Sequence, residues 1–219
     1  RLQEMLTSCE VVPAYGKESS APIPGGNYWA KPLPSFGDPN ARILIVRLAP
    51  AANGANRTGR MFTGDRSGYW LFETLHLSGF ASQPVSVDRT DGLRLKNCYI
   101  TAAVHCAPPA NKPTREEFDA CHPYLLQELR LLKRLRVVVV LGQVAFDEFL
   151  KAYRANGRAI PKPRPHFSHG GIFTLSGTLT LLTSYHPSQQ NTFTGKLTRR
   201  LFRSVFHQAH DLIHEASPG

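Results

Sequence analysis

The run "VVVVLG" (137–142) constrains the fold of this chain more than any other stretch. β-Branched side chains lose rotamer freedom in a helix and pack well on a pleated strand. Four of them in a row leave no polar face for water, so the strand must be covered on both sides, as in a parallel sheet. "RILIVRL" (42–48) and "CYITAAV" (98–104) read as strands, and two further short strands fall within residues 172 to 184. The segments between them have helical patterns. "SGYWLFETLHLSG" carries apolar residues at 70, 71, 72, 75 and 77 and stops at Gly79. "TREEFDACHPYLLQELRLLKRL" (114–135) opens with a capping box, Thr114 followed three residues later by Glu117. "QVAFDEFLKAY" and the closing "GKLTRRLFRSVFHQAHDLIHEA" complete the set. Strands alternating with helices predict an α/β fold, a parallel sheet covered by helices on both faces.

The first 40 residues do not fit this alternation. Prolines at 13, 22, 24, 32, 34 and 39 make about residues 1–40 an irregular arm on a single domain spanning 1–219. There is no internal repeat, and no stretch approaches the roughly 20 apolar residues of a membrane span. With no signal-peptide pattern, the expectation is a cytoplasmic protein without a membrane partner, its thiols reduced. Cys9, Cys98, Cys106 and Cys121 then read as core, metal or chemistry rather than disulfides. Without a C-x-x-C pair the cysteines are a weak metal signal. Lys and Arg number 26 against 16 Asp and Glu, a net charge of +10. Such a balance is met on solvated basic surfaces, and in a single domain it also suits a polyanionic partner.

In parallel α/β folds, ligands bind outside the carboxyl ends of the strands. Three polar segments gather there: "LAPAANGANRTGRMFTGD" (48–65), "HCAPPANKPT" after the second strand and "SYHPSQQNTFTGK" after the last. In the first, Gly54, Gly59 and Gly64 permit unusual backbone, and Ala49, Ala51 and Ala52 allow close approach. Its amides could meet a carbonyl or phosphate oxygen, or the loop could be a plain connection. The ending of a P-loop is missing, which argues against a nucleotide-binding enzyme. Asp65 is either the N-cap of the next helix or a catalytic carboxylate. His186, followed by proline and polar residues, can supply a proton or a positive charge near neutral pH. Lys196, Arg199, Arg200 and Arg203 cluster just beyond, on a solvated face or opposite phosphates.

Taken together, "LAPAANGANRTGRMFTGD", "TAAVHCAPPANKPT", Ala120–Cys121 on a helix and "SYHPSQQNTFTGKLTR" resemble the uracil-DNA glycosylase superfamily. The similarity is greatest to its broad-specificity family 5 and covers about residues 42 to 200. The resemblance implies a three-layer α/β/α sandwich around a four-stranded parallel sheet. It implies a monomer that hydrolyses the N-glycosidic bond of uracil or another deaminated base in DNA, in the nucleoid of a prokaryote. It also implies a 4Fe-4S cluster, with Cys9, Cys106 and Cys121 matching three of its four ligands and Val12 standing where the fourth belongs.

Residue by residue, Asp65 falls at the position of the proposed catalytic carboxylate, and His186 matches the histidine that stabilises the departing base. Phe62 matches the aromatic on which the flipped base stacks, with Leu48, Ala49, Pro50 and Ala51 along the base edge. Asn53 stands where histidine is usual. Ala102 stands where related branches carry a base-reading asparagine, so the pocket should discriminate less and also take hypoxanthine or xanthine. Arg57, Gln189, Gln190, Asn191, Thr192, Lys196 and Arg199 are the expected DNA contacts, with Gln189 or Gln190 filling the hole left by the flipped base. Cys98 matches no family ligand but has the chemistry to substitute for one. Arg47 departs from the family's usual glycine, and a large cation there is expected to crowd the pocket or strain the loop. A protein that keeps the fold and DNA affinity but has lost catalysis is the alternative reading.

Overall fold

The computed structural model describes residues 28–29 and 31–215, with only the backbone of the last of these. Cys9, Val12 and most of the proline-rich arm lie outside the described residues. Six strands form one sheet: β1 (Phe36–Gly37), β2 (Ile43–Arg47), β3 (Cys98–Ala102), β4 (Val137–Leu141), β5 (Ile172–Ser176) and β6 (Leu179–Ser184). Their order is β1-β3-β2-β4-β6-β5. The four inner strands are mutually parallel, as expected, while β1 and β5 pair antiparallel at the two edges. The sheet is therefore mixed. β5 and β6 are joined by a tight turn at Gly177, whose φ of 53° suits glycine.

Side-chain alternation builds the two cores. Ile43, Ile45, Val137 and Val139 face one side, where α2 (Arg66–Leu77) and α6 (Arg199–Glu215) bring Leu71, Phe72, Phe202 and Phe206. Leu44, Val46, Val138 and Val140 face the other, under α3 (Arg115–Leu131) and α4 (Gln143–Ala155), which contribute Leu125, Leu129, Phe146 and Phe149. All five residues of β4 are buried, so the valine run is sandwiched as its composition requires. None of the described helices is long and apolar enough to cross a membrane.

Element ends differ from expectation in physically readable ways. The capping box at Thr114 and Glu117 is formed. The helix after it stops at Leu131 rather than at 135, because Arg136 and Val137 donate their amides to the Arg42 carbonyl to start β4. The last helix begins at Arg199, after Thr198, whose hydroxyl accepts the Leu201 amide. Two short helices, α1 (Ala55–Thr58) and α5 (Gln189–Phe193), lie inside segments read as loops.

α3 carries a buried carboxyl group. Glu128 is 1% exposed, accepts a hydrogen bond from the Ser35 hydroxyl and leaves Oε2 without a partner. Burial pushes its pKa up to about 7, against the lowering effect of hydrogen bonds from Ser35 and Thr101. The folded state thus holds this proton more tightly than the unfolded chain does. Its contribution to stability is full below about pH 4.5 and is lost as pH rises through about 7, on the order of 3 kcal/mol in all. Glu128→Gln should flatten that slope and gain on the parent above pH 7, which thermal melts from pH 4 to pH 8 would show.

Candidate active site

The chain leaves β2 for β3 on one side and returns past β2 to β4 on the other, so the topology switches between β2 and β4. A cleft of about 630 Å³ opens there, at the carboxyl ends of β2, β4 and β6. This is where a parallel α/β sheet places ligands.

The loop after β2 forms one wall. Its glycine-rich stretch is less open than its composition suggests: the amides of Gly54 and Asn56 bond to the Ala51 carbonyl, and that of Arg57 to Gly54. Those donors close α1 and are not free for a ligand. The segment that follows holds Phe62 at φ 57°, a left-handed conformation uncommon for an aromatic residue. Asp65 then caps α2, its Oδ1 accepting the Gly68 amide at 2.8 Å. Capping occupies one oxygen, and the carboxylate still lines the cleft. The two readings of Asp65 are compatible.

Two glycines fix this geometry. A Cβ on Gly54 would sit 2.7 Å from Asp65 Oδ2, and one on Gly68 would sit 1.7 Å from the Phe62 carbonyl oxygen. The second contact is with backbone and cannot be relieved by a rotamer change. Gly68→Ala should therefore force the 62–65 segment off α2 and destabilise the fold by about 1–3 kcal/mol. Calorimetry would read this as a lower melting temperature.

His186 stands two residues beyond β6, its ring stacked on Phe62 with centroids 5.8 Å apart and planes 18° apart. The Asn191 side chain and the Ser188 amide both donate to the His186 carbonyl, at 2.8 Å each, and fix the turn. No hydrogen bond to its ring nitrogens is formed among the described residues. Burial first, and the Arg47 charge second, push its pKa down to about 3. Of the two readings of His186, a proton donor or a positive charge, these surroundings favour the uncharged ring, whose N–H is available to donate.

Arg47 supplies the cation. It closes β2, is 4% exposed, and places its guanidinium carbon 4.0 Å from the centroid of the Phe62 ring. It does not strain the loop, since its φ is not positive. It does crowd the pocket, lying at stacking distance on the aromatic ring.

Of the residues expected at a site, Leu48, Ala49, Ala51, Asp65, His186, Gln189 and Gln190 meet in the cleft. Phe62 is fully buried behind Arg47 and His186. Pro50 is buried and does not line the cleft, and Ala102 is sealed in the core beside Arg47 in the strand register. The exposed Asn53 accepts from the Tyr28 hydroxyl at 2.8 Å, and its carbonyl accepts from Arg57, so this pair braces α1. Asn191 holds His186 in place, and Thr192 bonds back to the Gln189 carbonyl. Lys196 lies over Tyr185, while Arg199 is paired with Glu73 and lies over Trp70. The cation cluster is therefore partly neutralised within the fold. Asn111 lines the cleft from the segment after β3 that was expected there, while Arg66 and Gln143, the latter directly after β4, also line it without having been expected.

Cys106 and Cys121 are buried near one turn, where the His105 amide donates to Cys121 Sγ at 3.4 Å. Cys98 lies apart from this turn. It opens β3 at the other end of a five-residue strand, about 16 Å long, and burial raises its thiol pKa. Among the described residues no group of three or more His, Cys, Asp or Glu side chains is placed to hold a metal ion.

Residues 34–210 match the model of the uracil DNA glycosylase superfamily. A type-5 uracil-DNA glycosylase of Thermus thermophilus is 47% identical, with 94% of each chain covered. One from Mycobacterium bovis is 48% identical over 84% of this chain and 68% of its own length. One from Pyrobaculum aerophilum is 45% identical over 84% of this chain and 77% of its own. A family model that spans residues 34–210, with relatives 45–48% identical over at least 84% of this chain, shows that the chain belongs to the uracil DNA glycosylase superfamily.

Proposed function

We propose that the protein flips a deaminated base out of DNA, seats it in the cleft between β2 and β4, and hydrolyses its N-glycosidic bond to leave an abasic site. The observation that carries this reading is the meeting of Asp65 and His186 in one cleft from the segments after β2 and β6. As the bond breaks, the electron pair leaves with the base and the sugar becomes cation-like. Asp65 offers negative charge to the sugar side and can receive the proton of the attacking water. His186 donates to the base side without changing its own protonation. A duplex base is out of reach until extruded, at a cost of a few kcal/mol that is lowest at mismatched or damaged pairs.

Phe193 is the large apolar side chain best placed to hold the duplex open. It is 66% exposed on α5, one turn from Gln189 and Gln190, and Arg66 lies 4.4 Å over its ring. Apolar wedges of this kind enter an unstacked base step.

The base range extends to hypoxanthine and xanthine, because no base-reading asparagine stands at Ala102. Excision of uracil, hypoxanthine and xanthine would be timed in matched duplexes and single strands, with Phe193→Ala beside the parent. All three bases should be released, and the variant should lose rate in duplexes but not in single strands. Release of uracil alone would refute the broad range.

Cys106 and Cys121 supply the soft thiolates that iron takes, and with Cys9 they are the proposed ligands of a 4Fe-4S cluster that would brace the arm against this end of the domain. Iron and acid-labile sulfide in anaerobically purified protein, lost in Cys121→Ser, would support the cluster. Iron-free protein would refute it.

A further inference from the structure

Burial disfavours the charge at position 47, and the Asp65 carboxylate favours it from beyond ion-pair distance. Arg47 shares its strand face with Ile43 and Ile45, and its side chain runs into the cleft rather than out to water. No carboxylate pairs with it at ion-pair distance among the described residues. Nε and Nη1 are buried without a hydrogen-bond partner. The Phe62 face at 4.0 Å stabilises the flat cation but satisfies none of its N–H donors. Buried polar groups are nearly always paired, so two unpaired donors on a residue that lines a cleft call for an acceptor from outside.

Resting on the glycosylase reading above, we infer that Arg47 is a catalytic residue of this chain that stabilises the departing base through charge-assisted hydrogen bonds from Nε and Nη1 to its carbonyl oxygen. When the glycosidic bond breaks, the electron pair passes to the base and its charge spreads onto the carbonyl oxygens. Water adds to the sugar carbon and gives up a proton to Asp65, while Arg47 keeps all of its own. His186 is neutral and Arg66 is exposed, so Arg47 is the buried cation of the cleft. The same two donors match the adjacent O6 and N7 acceptors of hypoxanthine and xanthine, which favours oxo-bases over amino-bases. The opposing view is that Arg47 merely occupies the base's seat on Phe62. The two views differ in the sign of a mutant's effect.

Single-turnover release of uracil and of 5-fluorouracil, whose fluorine makes it the better leaving anion, would be measured for the parent, Arg47→Met, Arg47→Lys and Arg47→Gly. Melting temperatures would be taken alongside. Arg47→Met should slow uracil release about 10²–10³-fold and 5-fluorouracil release much less, with Arg47→Lys intermediate. Its melting temperature should hold or rise, because an unpaired buried charge has been removed. Release by Arg47→Gly or Arg47→Met at or above the parent rate would overturn the inference in favour of a blocking role. Equal slowing of both bases would overturn it in favour of packing. A parent that releases neither base would overturn the glycosylase reading together with this one, whereas an active parent with indifferent variants removes this one alone.

Discussion

Asp65→Asn should slow uracil excision about 10²–10⁴-fold near neutral pH and leave DNA binding close to the parent's. The substitution separates the two duties of the side chain. Asparagine is as good an N-cap as aspartate, so the bond to the Gly68 amide and the start of α2 are retained. What disappears is the negative charge facing the sugar and the capacity to take a proton from water. Asp65→Ala would lose the cap as well, at about 1 kcal/mol of stability. A melting temperature unchanged in the asparagine variant and lowered in the alanine variant, with both slow, assigns the rate loss to the carboxylate. An asparagine variant as fast as the parent would reduce Asp65 to a cap.

The second large effect belongs to His186. Its removal as His186→Ala should slow excision about 10²–10³-fold, the usual consequence of losing one preorganised donor at developing negative charge. Its pH signature separates a neutral ring from a cationic one. A pKa of about 3 leaves the ring uncharged throughout pH 5 to 8, so protonation of His186 contributes no rise in kcat/KM on the acid side. An imidazolium with an ordinary pKa near 6.5 would instead make excision faster as pH falls through that value. Such a rise in the parent, lost in His186→Ala, would contradict the neutral ring. The physical origin is burial first, and second the positive charge of Arg47 on the same aromatic ring.

How far the sequence alone leads depends on the element. The buried strands at 43–47 and 137–141 were legible because an unbroken β-branched run has only one environment that suits it. The amphipathic helices were legible from their period. α1 and α5, of four and five residues, are too short to show a period, and the two-residue β1 has none. The placement of Asp65 and His186 followed from the strand-end rule, and the same rule applied to β4 would have found Gln143.

Arg47 is more instructive. Strand parity puts it on the face of Ile43 and Ile45, which could have been read from "ILIVR". That this face leads to Phe62 needs the left-handed turn at Phe62, and no pattern in "GRMFTGD" announces it. The neutral state of His186 was beyond reach for the same reason, since it depends on burial and on a charge 139 positions away in the chain. The cations at 196 and 199 were visible as charge, but their engagement with Tyr185, Glu73 and Trp70 is tertiary.

The most direct test is release of free uracil from a duplex holding one uracil opposite guanine, with the protein in excess over DNA. The predicted result is one uracil per duplex and one alkali-labile abasic site at its position, in a single exponential. A duplex that is bound, recovered intact and resistant to alkali would contradict it, and would leave a glycosylase fold that only holds DNA.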